Sequence, residues 1–155
     1  MKKSVNILVI PIASPLLIGI YEDSKLIDTI SKEGKTSDIL PLMFDEIIEK
    51  YDIDKLYYTN GPGSYMSIKV AYVFLKTISI VKDIPLEAAK AFHFNENSPI
   101  KALGKKYFFN DKNDRIAIRF LEENEIIKDF KIPELLDRSF FDNNSLPSYD
   151  LPAVN

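Results

Sequence analysis

Asn60-Gly61-Pro62-Gly63-Ser64, followed without a break by YMSIKVAYVFLKTISIVK over residues 65–82, decides how the rest of the chain is read. Two glycines around a proline make a tight turn. The next eighteen residues hold no Gly or Pro, and the segment Asp83-Ile84-Pro85 stops them. The expectation is a strand ending at Thr59, a turn, and a long helix over 64–82. Projected at about 100° per residue, Val70, Ala71, Phe74, Leu75, Ile78 and Val81 form one continuous apolar face, expected to cover a sheet. The opposite side is only half polar. Lys69, Lys76, Ser79 and Lys82 share it with Tyr65, Met66, Tyr72, Val73 and Ile80. Leaving such side chains wet forgoes about 1.5–3 kcal/mol apiece, and apolar patches rimmed by charge mark interfaces. Two readings are open: a partner surface, or a helix buried on two sides within its own chain. The shortness of the C-terminal third favours the partner surface.

Working outward, residues 5–12 are apolar and β-branched, as in a buried central strand. Residues 16–21 and 25–31 read as two more strands after turns at 13–15 and 22–24. A helix is expected over 38–51, with Asp38 as N-cap and Pro41 in its first turn. Leu40, Met43, Phe44, Ile47, Ile48 and Tyr51 recur at helical spacing as its core stripe, with Ile39 and Leu42 outside it. Residues 54–59 form a fourth strand. Beyond Pro85 the pattern weakens: a short strand and a short helix over 86–94, strands over 106–109, 115–121 and 125–132, turns at 110–114 and 122–124, and an extended tail from 146. The order β-β-β-α-β-α implies an α/β class, divided into a first lobe, 1–88, and a smaller β-rich second lobe, 89–155.

Composition excludes several functions. The 155 residues carry a net charge of −3, which supplies no field for collecting nucleic acid. No cysteine is present, so disulfides, thiolate nucleophiles and Cys-held zinc are out, which suits a cytoplasmic protein. Pro11 and Pro15 interrupt the apolar start, so it reads as two strands rather than a leader, and no stretch is long enough for a membrane. Gly61, Gly63 and Ser64 precede a helix terminus able to hold an anion or a nucleotide phosphate weakly. The spacing matches neither a P-loop nor G-x-G-x-x-G, and a structural turn with Ser64 as N-cap is the better reading. His93 is the only histidine, and no carboxylate pair stands out for acid–base work. Lys105-Lys106 beside Tyr107-Phe108-Phe109 is a weak nucleic-acid cue, with a strand bearing core aromatics preferred.

Gly61-Pro62-Gly63-Ser64-Tyr65-Met66-Ser67-Ile68-Lys69, with Asp83-Ile84-Pro85-Leu86 after it, resembles the G-P-G-S-[FY]-T-G-[LI]-[KR] and G-I-P-L segments of the TsaB (YeaZ) family. Ser37-Asp38-Ile39-Leu40-Pro41-Leu42-Met43 is similar to that family's S-x-x-L-L-P-L-I stretch, and residues 7–86 match its order. The resemblance implies an actin-like ATPase (ribonuclease H-like) fold. It implies a non-catalytic subunit that pairs with TsaD, and through it with TsaE, in threonylcarbamoylation of the tRNA adenosine beside the anticodon. Homodimers through the same helices belong to the expectation, and tRNA is met only through the complex. The implied interface is Ile39, Leu42, Tyr65, Met66, Lys69, Tyr72, Val73 and Lys76. ATP and metal are expected on the partner subunits, with no cofactor on this chain. Departures from the family point the same way. Its I-D-T-S turn is Ile10-Pro11-Ile12-Ala13 here, which removes a carboxylate and two hydroxyls from a phosphate–magnesium site, and its histidine before the second motif is Thr36. Leu146-Pro147-Ser148-Tyr149 resembles the closing P-x-Y-L-R without the arginine. The alternatives are an actin-fold phosphotransferase or peptidase-like enzyme, and a homodimeric binding module.

Overall fold

The computed structural model describes residues 1–111 and 115–148. The expected turn at 110–114 and tail at 146–155 thus lie partly outside the described residues. β1 (Lys3–Ile10), β2 (Leu16–Glu22), β3 (Lys25–Lys32), β4 (Tyr51–Thr59) and β5 (Leu86–Ala89) form one mixed sheet in the order β3-β2-β1-β4-β5. β1, β2 and β3 are an antiparallel meander, while β4 lies parallel to β1 and β5 parallel to β4. α1 (Thr36–Lys50) and α2 (Tyr65–Lys82) supply the two crossovers that parallel pairing requires. A second antiparallel sheet comes next, of β6 (Ile100–Lys101), β7 (Lys106–Asn110) and β8 (Ile116–Phe120). No helix of the described residues is long and apolar enough to cross a membrane.

β1 is apolar without alternation because both its faces are covered. Val5, Ile7 and Val9 face the helices, where Leu40, Phe44, Ile47, Ala71 and Leu75 pack. Leu8 and Ile10 face the other way, onto Phe94, Leu136 and Phe141. The second cover comes from the return segment 133–148, which runs back across the first sheet. Its backbone exchanges two hydrogen bonds between Ala88 and Asp142, and others join Leu26 to Glu134 and Leu136 to Ser24. Tyr21 donates to the Pro133 carbonyl at 2.6 Å, and Tyr57 meets Phe141 with ring centroids 4.6 Å apart.

Four local expectations are corrected. Helix α1 starts at Thr36 with Lys35 at the N-cap position, and Asp38 sits inside the first turn, where a carboxylate still favours the helix dipole. Pro41 therefore falls in the helix interior, one turn later than expected. Having no N–H, it leaves the Ser37 carbonyl without its i+4 donor. Residues 125–132 make no strand; they run as irregular chain tied by Lys128 N–H to Ser98 Oγ and Lys131 N–H to the Phe94 carbonyl. Last, the sheet-facing residues of α2 are Ile68, Ala71, Leu75 and Ser79. Val81 is 78% exposed. Ser79 is buried because it closes the helix end: its Oγ donates to the Ile84 carbonyl at 2.5 Å, and its own carbonyl accepts Ile84 N–H at 3.0 Å. Asp83 ends the helix in the left-handed conformation.

Candidate interface: the groove between the two helices

The rotation of α2 changes what its apolar flanks do. The fully buried contact with the sheet is made by the row through Ala71. Phe74, half-buried, packs edge-on against Phe44 of α1 with ring centroids 5.2 Å apart. Val70 and Ile78 lie on the same flank, facing α1 without filling the space between the helices. The result is an open groove of about 470 Å³. Leu40 and Phe74 lie within it, and Met66, Val73, Pro41 and Lys69 line it too. Met66 is 62% exposed and Val73 is 56% exposed. Lys69 Nζ lies 5.7 Å from the centroid of the Tyr65 ring, so one charge stands beside the aromatic residue at the start of the helix. Ser37 and Pro41 both line the same groove.

Among the eight interface residues expected from sequence, Met66, Lys69 and Val73 line the groove. Tyr65 is exposed at its head, and Leu42, 51% exposed, stands on α1 outside the lining. Ile39 is not a surface residue at all. It is 5% exposed and part of the core between α1 and the sheet. Ile39 stands four and eight residues before Met43 and Ile47 and so falls in the same inward row. Tyr72 is half-buried, its ring packed toward Tyr58 at 6.4 Å, and Lys76 is half-buried as well. Sequence reasoning missed the groove's floor, Leu40 and Phe74, because both were assigned wholly to the core. The signal was present: Pro41 next to Leu40 marks where α1 cannot complete its ladder.

A second concavity, about 620 Å³, lies between the two sheets. The three expected anion-turn residues separate here. Gly63 and Ser64 line this cleft, but Gly61 is buried beneath the return segment, its Cα facing the Ser148 carbonyl. Ser64 occupies the N-cap position of α2, yet its side chain makes no capping bond. The Ile12-Ala13-Ser14 turn lines the cleft beside Gly63, and Lys101 and Lys128 supply positive charge. Asp129 is the one carboxylate among the described lining residues. No group of three His, Asp or Glu able to hold a metal ion occurs among the described residues. His93 lies outside the cleft, stacked on Phe140 at 4.0 Å. Of the aromatic run beside Lys105-Lys106, only Phe108 is core; Tyr107 and Phe109 are half-buried on the sheet's other face, where Arg119 lies 3.5 Å from the Phe109 ring centroid.

Solved structures resemble this chain, and two of them are matched over most of its length. One is YeaZ from Pseudomonas aeruginosa, with a TM-score of 0.58 at 10% identity over 97% of this chain and 72% of that one. The fold is YeaZ-like. The other is described as an uncharacterized protein with similarity to peptidase YeaZ from Pseudomonas aeruginosa, with a TM-score of 0.54 at 11% identity. It is matched over 83% of this chain, which spans only 64% of that chain's length. No protein-family profile and no curated protein matches the sequence. At such identities the YeaZ likeness speaks for the mixed five-stranded sheet and its two helices, and for the fold alone.

Proposed function

We propose that this chain is a non-catalytic scaffold or activator subunit that pairs with TsaD, in an assembly including TsaE, for threonylcarbamoylation of tRNA. The single observation carrying this reading is the open apolar groove between α1 and α2, with Met66 and Val73 left exposed on a helix already packed to its sheet. A partner helix laid along it would cover those side chains, and Lys69 at the groove's edge would help fix its register. The sheet order β3-β2-β1-β4-β5 and the YeaZ likeness support an actin-like fold, and the motif from Gly61 to Lys69 supports TsaB membership within it. The role left to this subunit is to hold TsaD in a working conformation, by binding that conformation better than its alternatives. Cytoplasmic location and indirect contact with tRNA are part of the same proposal.

Reconstitution tests it. TsaD, TsaE, the threonylcarbamoyl-adenylate donor and tRNA are combined with and without this chain, and modified adenosine is measured. The proposal expects modification to fall by an order of magnitude or more when the chain is left out. Equal modification in both mixtures would remove the activator role.

A further inference from the structure

The return segment does more than cover the far face of the sheet. Its last described residues cross the end of β4 and close on the turn that launches α2. Tyr58 Oη donates to the Ser145 carbonyl, Asn60 Nδ2 donates to the Leu146 carbonyl at 2.9 Å, and Ser148 N–H donates to the Asn60 carbonyl at 2.8 Å. Gly61 has no room for a side chain: a Cβ there would lie 2.8 Å from the Ser148 carbonyl oxygen and 3.5 Å from Ile68 Cδ1. On its other side the turn is held by Ala91 N–H donating to the Gly61 carbonyl at 2.9 Å, and by Asn60 N–H on the Ala89 carbonyl at 3.1 Å. The first turn of α2 has no such support of its own, because Ser64 makes no side-chain cap. That first turn carries Met66 and leads to Lys69, the head of the groove. Tyr58 links the two structures directly, with its ring toward Tyr72 of α2 and its hydroxyl on the return segment.

We infer that residues 145–148 act as a latch that positions the uncapped first turn of α2, with Tyr58 and Asn60 as the positioning residues. A helix start without a cap frays unless something outside the helix fixes its entry angle. Here the entry is fixed by three hydrogen bonds to a segment about 87 positions away in the chain. The inference rests on the groove being the partner surface only for its consequence; the positioning itself is a property of this chain.

The test uses the full chain and hydrogen–deuterium exchange. Tyr58→Phe removes one hydroxyl, and Asn60→Asp turns a donor into an acceptor facing the Leu146 carbonyl at the same size. Each variant loses one hydrogen bond, so the amides of residues 68–72, the first whose N–H groups bond back into the opening turn, are expected to exchange about five- to tenfold faster. Amides of β1 and of residues 43–47 in α1 are expected to hold their wild-type rates. A second pair, Asp137→Asn and Ser139→Ala, touches the return segment outside residues 145–148 and is expected to leave residues 68–72 unchanged. A uniform rise across both regions would overturn the latch, since it would mean general destabilisation. Unchanged exchange at 68–72 would overturn it as well. Neither result depends on TsaD, so a failure of partner binding in the wild-type chain counts against the functional proposal alone.

Discussion

Replacing Met66 and Val73 together by glutamate attacks the groove where the structure leaves the fold indifferent. Met66 is 62% exposed and Val73 is 56% exposed. Full burial of such a side chain is worth about 1.5–3 kcal/mol, so a partner that covers the remaining half or so gains about 1–2 kcal/mol from each. The pair then accounts for about 2–4 kcal/mol of association, and removing it weakens binding by about 30-fold or more. Two carboxylates brought against an apolar partner without a cation deepen the loss. The cost to the chain itself is small. Glutamate is as good a helix former as methionine and better than valine, and in the first turn it favours the dipole. Unfolding free energy is expected to stay within about 0.5 kcal/mol of wild type. Isothermal titration of TsaD into wild type and double variant, beside urea unfolding of each, gives both numbers. Wild-type affinity retained by the double variant would refute the assignment of the groove. Tyr72, beside Val73 in sequence, is unsuitable for this experiment because its ring packs toward Tyr58, and a charge there would damage the fold.

Ile39→Ala is expected to lower stability by about 2–5 kcal/mol through the cavity it leaves, with TsaD affinity of the folded fraction unchanged. Urea unfolding checks the first, titration the second. In Gly63→Ala, the new Cβ would meet Ile12 Cγ2 at 2.5 Å and the backbone holds φ at +154°; a loss of about 2 kcal/mol or more is expected in the same unfolding assay. Burial pushes the Tyr21 hydroxyl above the ordinary tyrosine range, and it donates to the Pro133 carbonyl. The protonated form is the one the fold favours, so this contribution is complete below the unfolded tyrosine pKa of about 10 and is lost as pH rises beyond it. Absorbance titration in the near ultraviolet is expected to show one late-titrating tyrosine that ionises with alkaline unfolding and is missing in Tyr21→Phe.

The first half of the fold was legible because its signals are local. β1 reads as an apolar run, and Gly61 to Gly63 mark the turn. Leu40, Met43, Phe44 and Ile47 mark the inward row of α1 by spacing alone. The rest depends on contacts distant in sequence. Nothing in residues 133–148 shows that they return to pair with Ala88 and seal Tyr57, so the far cover of the sheet was invisible. Residues 125–132 have strand composition, but the N–H groups of Lys128 and Lys131 go to Ser98 and Phe94 instead of a neighbouring strand. The groove was half legible. Too many apolar residues on α2 signalled a second contact face, and Met66, Val73 and Lys69 fall on it. The burial of Ile39 and the exposure of Val81 were not, because each turns on about one residue of helix phase. Ile39 stands at the edge of the α1 stripe, and Val81 lies in the last turn of α2, beside Lys82 and the left-handed Asp83.

The central claim, that the face between α1 and α2 is a binding surface for TsaD, is tested most directly by sedimentation velocity of this chain mixed with TsaD at micromolar concentration. A one-to-one species heavier than either protein is expected, abolished by the Met66→Glu, Val73→Glu pair. Two proteins sedimenting separately, or a complex indifferent to those two substitutions, would contradict it.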